Sequence, residues 1–186
     1  MTEKKLDRTK RVAYTGLFIA LVLGIGYAFV LIPNVEFVLA TIFISGILLG
    51  WKTGIVVGTA GELLFSALNP FGSGLVFPLL LFFQILVGGL VGYTGGLLRR
   101  VIIYGNSYRK AAITSATAGF LLTFTYDLLT NLSYPLAAGF DMRGIIATVI
   151  AGLGFSLIHI ITNTFVFLIF VPYISRLLHK VLLHLE

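Results

Sequence analysis

Six apolar segments run through this chain, and each is followed by a short polar stretch. They cover residues 12–31, 36–49, 54–68, 75–98, 111–132 and 144–174. A helix needs about 20 mostly apolar residues to cross the hydrocarbon core of a bilayer. We therefore predict an all-α integral membrane protein that forms a single domain, a bundle of six transmembrane helices. The second and third segments are short, which predicts tilted or broken helices there.

The low share of charged residues excludes a soluble domain. Only 11% of the residues are charged and 58% are hydrophobic, whereas a soluble domain carries roughly 25% charged residues. The chain has no cysteine, which rules out disulfides, thiolate metal sites and thiol nucleophiles. We expect most of the outer surface to contact lipid.

The positive charges indicate an orientation in the membrane. The net charge of +6 would suit nucleic acid. With a cytoplasmic N-terminus and six spans, however, every Lys and Arg except Arg143 falls on the cytoplasmic side, which is the bias that orients membrane proteins. This distribution predicts that both termini are cytoplasmic, as a basic stretch over 1–11 and a short tail over 175–186, and that no nucleic acid is bound.

Polar side chains inside the spans are the candidates for function. An ionisable side chain at the centre of a membrane helix costs about 2.5–3.5 kcal/mol on insertion scales, so it usually faces protein or a water-filled cavity. Glu62 and Asp127 lie at similar depth in the outer half of spans three and five, and His159 shares one face of span six with Asn163. The predicted substrate-binding residues are Asn34, Glu36, Glu62, Asn69, Tyr126, Asp127, Asn131 and His159.

Two interpretations of these residues remain open. Either the acids line a pocket that opens to the outside, or they are structural residues that hydrogen-bond to neighbouring helices. For His159 the choice lies between packing and a role in the pocket or in helix contacts. Gln84 in span four is expected to form an interhelical hydrogen bond. Because the inner half of the spans is apolar, it offers no polar lining for a channel, and a capture pocket is favoured.

The sequence contains no catalytic motif of the common kinds. It lacks the Gly-x-Ser-x-Gly elbow, the His-Glu-x-x-His zinc motif and a phosphate-binding glycine loop followed by lysine. We therefore predict no enzymatic activity, no cofactor and no metal site. Because an ATPase motif is also missing, active transport would have to draw its energy from a partner.

One glycine pattern occurs twice in the chain. A Gly-x-x-x-Gly pair followed by an aromatic residue and a third glycine begins at Gly46 and again at Gly88. Internal repeats are common in transporter folds. The second and third spans and the fourth and fifth spans are therefore candidates for two copies of one helical hairpin, with coincidence as the alternative.

Three stretches, together with the span count, carry a resemblance to a known family. They are the small-residue stripe Gly16, Ala20 and Gly24 in span one, Pro33-Asn34-Val35-Glu36-Phe37 at the start of span two, and Asn69-Pro70-Phe71 after span three. Over essentially its whole length the chain resembles the S components of energy-coupling factor (ECF) vitamin transporters, which are multi-pass proteins of prokaryotic plasma membranes.

The resemblance implies a function and a set of partners. An S component binds its vitamin from outside with high affinity, docks through span one on a transmembrane coupling subunit driven by two ATPase subunits, and topples to release the ligand inward. Gly16, Ala20 and Gly24 would then form the partner-docking surface. The carboxylates and amides near the mouth suit a donor-rich or cationic heteroaromatic ligand of the cobalamin, queuosine-precursor, riboflavin or thiamine class.

Two other functions remain open. A stand-alone proton-coupled carrier or a small channel would use Glu62, Asp127 and His159 as a relay, and it would move substrate when reconstituted alone. A membrane enzyme or assembly factor with an unrecognised site would instead be revealed by turnover of a lipid or prenyl substrate.

Overall fold

The computed structural model describes residues 8–69 and 74–184, and within these ranges the chain is helical without strands. The predicted all-α fold is therefore confirmed for the described residues. Outside these ranges lie Pro70, Phe71, Lys4 and Lys5, which were used in the predictions from the sequence. The helices are α1 (Arg8–Phe29), α2 (Val38–Leu49), α3 (Trp51–Ala67), α4 (Pro78–Tyr104), α5 (Tyr108–Ala137) and α6 (Met142–His184), with a 3₁₀ turn over Gly74–Val76 before α4.

Four of these helices, α1, α4, α5 and α6, are long and apolar enough to cross a membrane. They suit a protein embedded in a bilayer. The predicted shortness of the second and third segments is confirmed, since α2 has 12 residues and α3 has 17. At 1.5 Å per residue α2 extends only about 18 Å. That α2 and α3 also cross the membrane remains a prediction.

The short helix α2 is the centre of the bundle. All of its 12 residues are buried, and it packs against α1, α3, α4 and α6. Its sequence is apolar on every side, which is the pattern of a helix surrounded by other helices. The segment that leads into α2 contains Glu36, so the position of this helix also fixes where that carboxylate enters the bundle.

The repeated glycine pattern marks two sides of one helix contact. Gly50, at φ +91°, allows a one-residue turn between α2 and α3, and the turn packs on α4. A Cβ atom on Gly46 or Gly54 would meet the carbonyl oxygen of Gly92, and a Cβ on Gly92 would meet that of Gly54. Only glycine allows backbones to approach this closely. The two stretches are therefore packing partners in space.

The ends of α5 and α6 differ from the prediction. The apolar segments predict a loop over 133–143, but α5 continues to Ala137. Proline in the last turn removes few hydrogen bonds, and the helix is closed two residues beyond its end by Gly139, where φ is +69° and the Phe140 amide donates to the Pro135 carbonyl. This is the Schellman arrangement. Asp141 then caps α6 by accepting a hydrogen bond from the Gly144 amide at 2.9 Å.

The helix α6 also continues beyond its predicted end. The last apolar segment was expected to stop at residue 174, with a tail over 175–186, but α6 runs without a break to His184. Pro172 lies inside the helix, and Arg176 connects its final turns to α4. The Arg176 guanidinium donates to the carbonyls of Ile102 at 2.8 Å and Gly105 at 3.0 Å, which satisfies acceptors at the C-terminal end of α4.

We expect Arg176→Ala to lower the free energy of unfolding by about 1.5–3 kcal/mol, because hydrogen bonds from a charged donor contribute on that order. The measurement is thermal unfolding of the purified protein in detergent. Lys180→Ala is the matched control, since Lys180 is an exposed cation one turn further along α6. Equal melting temperatures for the two variants would contradict the capping role.

Candidate functional site

A cluster of polar side chains lies inside the otherwise apolar bundle. Among the described residues, the buried ionisable side chains are Glu62, Asp127 and His159, which are only 1%, 6% and 7% exposed. They come from α3, α5 and α6. These three residues and their polar neighbours, which come from α4, α5, α6 and the segment before α2, form a set that we call the polar cluster. Its members are Glu36, Glu62, Gln84, Tyr126, Asp127, His159 and Asn163.

The imidazole of His159 lies between two carboxylates. Its Nδ1 is 2.7 Å from Asp127 Oδ1, and its Nε2 is 3.6 Å from Glu36 Oε1. Asn163, one turn later on α6, donates to Glu36 Oε1 at 3.2 Å and has its Nδ2 3.1 Å from the imidazole Nε2. When Asp127 is ionised, the Nδ1–H of the ring donates to it. These four residues therefore form a continuous polar chain across three segments.

Tyr126 connects this chain to α4. Gln84 donates to the Tyr126 hydroxyl at 3.1 Å, which confirms the predicted interhelical hydrogen bond. The ring of Tyr126 meets the imidazole of His159 edge to face, with 6.3 Å between the centroids. Glu62 is within electrostatic reach of both Tyr126 and Glu36. Its side chain packs against α4 at Gly88, where a Cβ atom would meet the Glu62 Cγ.

Four buried atoms of the polar cluster have no hydrogen-bond partner among the described residues. They are Glu62 Oε2, Gln84 Oε1, Asp127 Oδ2 and Asn163 Oδ1. Native proteins satisfy nearly all of their buried polar groups, so four unpaired atoms in one place need an explanation. The oxygens of Glu62 and Asp127 are acceptors when these side chains are ionised. The side-chain amides of Gln84 and Asn163 can present their oxygen or, if the amide is turned by about 180°, their NH₂ group. The arrangement can therefore receive a molecule with several donors.

The predicted binding residues divide into three groups. Glu36, Glu62, Tyr126, Asp127 and His159 belong to the polar cluster. Asn131 lies one turn after Asp127, next to the polar cluster, and donates a hydrogen bond to Ser156 on α6 at 2.9 Å. Asn34 lies in the segment after α1 at φ 60°, with its Oδ1 buried, and Asn69 lies half-buried directly after α3.

Two members of the polar cluster were not among the predicted binding residues. The sequence predicts a helix contact for Gln84, and it places Asn163 on the same helix face as His159. The signal for Asn163 was its i+4 spacing from that histidine. Its pairing with Glu36 joins residues 127 positions apart, which no local pattern reveals.

Access to the polar cluster is narrow in this structure. We predicted a pocket open at the outer mouth, but Glu62 and Asp127 are almost completely covered. The Glu36 side chain is 28% exposed, and Gln84 and Tyr126 are also half-buried, so these three residues are the partly exposed members of the cluster.

The predicted docking residues lie on the outer face of α1. Gly16, Ala20 and Gly24 are exposed, and a Cβ atom at Gly16 or Gly24 would meet nothing within 4 Å. The buried face of the same helix carries Phe18, Val22 and Gly26. The small residues are therefore not used in packing α1 onto this bundle.

No family model, no curated protein and no solved structure matches this chain significantly.

Proposed function

We propose that the chain is the substrate-binding subunit of an ECF-type importer, which captures a vitamin-like small molecule at the extracellular side of a prokaryotic plasma membrane. The observation that carries the proposal is the polar cluster. Its seven residues come from four helices and from the segment before α2. Four of its buried atoms have no hydrogen-bond partner among the described residues. Buried ionisable groups are costly in a membrane and usually serve a ligand or an ion.

The charges of the polar cluster favour a cationic or donor-rich ligand. The carboxylates of Glu36 and Asp127 flank the imidazole of His159, and the buried Glu62 adds a third acid to the cluster. A ligand cation would compensate the excess of negative charge in a region of low dielectric. The ring centroid of Phe155 is 6.5 Å from that of His159. The ring of Phe155 and the edge of Tyr126 would suit a flat heteroaromatic ring.

Capture without conduction fits the rest of the bundle. Outside the polar cluster and the neighbouring Asn131, the buried polar side chains of the described residues are hydroxyls such as Ser45 and Ser115. The Ser45 hydroxyl donates to the Ile42 carbonyl in its own helix. Small hydroxyls of this kind do not form a polar path across a membrane. The proposed subunit would therefore bind its ligand and depend on partners for release.

The exposed stripe on α1 supports the proposed partners. Small residues at Gly16, Ala20 and Gly24 allow another membrane helix to approach the α1 backbone closely. In the proposed complex a transmembrane coupling subunit occupies this face, and two ATPase subunits drive the cycle. Both termini would be cytoplasmic, as the positive charges predict.

A second candidate is a stand-alone proton-coupled carrier. The observation that favours it is the position of His159 between the carboxylates of Asp127 and Glu36, since such chains relay protons in pumps and transporters. A carrier of this kind would complete the transport cycle without an ATPase.

Reconstitution distinguishes the two functions. Purified protein in liposomes would be incubated with radiolabelled thiamine, riboflavin, cobalamin or a queuosine precursor, with and without a proton gradient. We expect one of these ligands to bind in an amount that saturates at one molecule per protein, without accumulation in the lumen. Accumulation that responds to the gradient would establish the carrier and overturn the importer proposal.

A further inference from the structure

A cleft of about 590 Å³ lies between α5 and α6. Its walls are large apolar side chains that are also exposed on the outside of the bundle, among them Phe120, Phe124, Leu153, Leu157 and Phe165. Exposed side chains of this kind face lipid in a membrane protein. The cleft therefore opens sideways into the bilayer. Its volume lies in the range of sites that hold drug-sized ligands.

The cleft reaches the polar cluster at Asp127. Polar residues in its lining are Asp127, Asn131, Ser156 and Thr164. Asn131 and Ser156 bond to each other, and Thr164 donates to the Ile160 carbonyl at 2.7 Å. Asp127 is different, because its Oδ1 contacts His159 while its buried Oδ2 has no partner among the described residues. Asp127 thus lines the cleft and also contacts the interior, and its Oδ2 is covered by neighbouring atoms, so a ligand in the cleft would reach it only after a side chain of the wall moves aside.

We propose that this cleft binds an amphipathic cation that enters from the bilayer. Its ammonium or protonated ring nitrogen pairs with Asp127 Oδ2, and its apolar body lies against the aromatic and leucine side chains of α5 and α6. The inference rests on the proposed binding function, because it uses the same Asp127, and it adds a second class of ligand and a lateral route beside the extracellular one. It also provides a route to Asp127, which is only 6% exposed.

A second groove on the lipid-facing surface shows why an acyl chain alone does not account for the cleft. It lies between α3 and α4, has a volume of about 410 Å³, and is lined by apolar residues such as Phe82, Leu86 and Leu90. Among the described residues, no carboxylate lines this groove. A lipid tail suits that groove, whereas in the α5–α6 cleft a tail would leave the Asp127 oxygen unpaired, at the cost of a buried polar group.

Photolabelling in lipid nanodiscs tests the inference. The probes are dodecylamine and dodecanol that carry the same diazirine, in nanodiscs of phosphatidylglycerol. We expect the amine to label cleft residues of α5 and α6, and to do so at least tenfold more than the alcohol. Asp127→Asn should reduce the labelling by the amine to the level of the alcohol. Leu157→Trp should block it by filling the cleft, and the matched control Leu86→Trp, in the other groove, should leave it unchanged.

Three outcomes would overturn the inference: equal labelling by amine and alcohol, labelling that survives both cleft variants, or labelling concentrated in the α3–α4 groove. Addition of phosphatidylethanolamine distinguishes the two sources of such a cation. Competition by this lipid would assign the site to a membrane lipid with an ammonium headgroup, and no competition would assign it to a free amphipathic amine.

Failure of this test is separable from failure of the proposed function. If the cleft does not select the amine but the protein still binds a vitamin without transporting it, the lateral route is wrong. The importer proposal is then unaffected. Selective labelling in a protein that accumulates substrate on its own would support the cleft and remove the importer proposal.

Discussion

Gly92→Ala should lower the free energy of unfolding by about 3 kcal/mol or more, the upper end of the cost of adding a methyl group to a packed core. The added Cβ would meet the Gly54 carbonyl oxygen and Cα. These are backbone atoms, so no side chain can rotate away, and α3 would have to separate from α4. In thermal unfolding of the detergent-solubilised protein we expect a fall in melting temperature of about 10 °C.

Gly24→Ala is the matched control for this prediction. A Cβ atom there would meet nothing within 4 Å, and alanine is about 1 kcal/mol more favourable than glycine in a helix interior. The control should therefore unfold at the same temperature as the original protein or slightly above it. If both variants unfold alike, the close approach of α3 and α4 at these glycines is not what holds the bundle together.

Asp127→Asn and Glu62→Gln should each weaken ligand binding by tenfold or more, which corresponds to about 1.4 kcal/mol. Each change keeps the shape of the side chain and removes its negative charge. Asparagine at 127 can still accept a hydrogen bond from His159 through its amide oxygen, so we expect the fold to survive. The measurement is the dissociation constant of the co-purifying ligand, together with the melting temperature of each variant.

Asp141→Asn serves as the control for these two variants. Asp141 is an exposed acid, and asparagine is an equally good N-cap, so the affinity should not change. If Asp127→Asn and Glu62→Gln bind as tightly as the control, the acids are structural residues, which is the interpretation that the sequence also leaves open. A large fall in melting temperature with unchanged affinity would support the same conclusion.

The helical fold could be predicted because its signals are local. Apolar runs, the charged residues between them and the shortness of the second and third segments are read directly from the sequence. The predicted C-terminal end of α5 was wrong because the apolar run stops at residue 132, whereas the helix continues to Ala137. Gly139 lies just after the helix and closes it in a left-handed conformation. A glycine at that position is a known signal for the end of a helix, and the sequence contains it.

The candidate site could be predicted only in part, because its contacts are between distant residues. Five of its members were found from the cost of placing ionisable or polar groups in a membrane. The pairing of Asn163 with Glu36 depends on how α2 and α6 pack. The same holds for the glycine pattern, whose recurrence is visible in the sequence. The contact between Gly54 and Gly92 is not visible there, because it depends on the turn at Gly50.

The central claim is that the polar cluster holds a small molecule, and mass spectrometry of what the purified protein carries tests it most directly. The account predicts that protein purified in mild detergent releases one cationic or donor-rich small molecule in near-stoichiometric amount, and that the double variant Glu62→Gln, Asp127→Asn releases none. Release of only lipid and detergent, or equal release of the same molecule from the double variant, would contradict it.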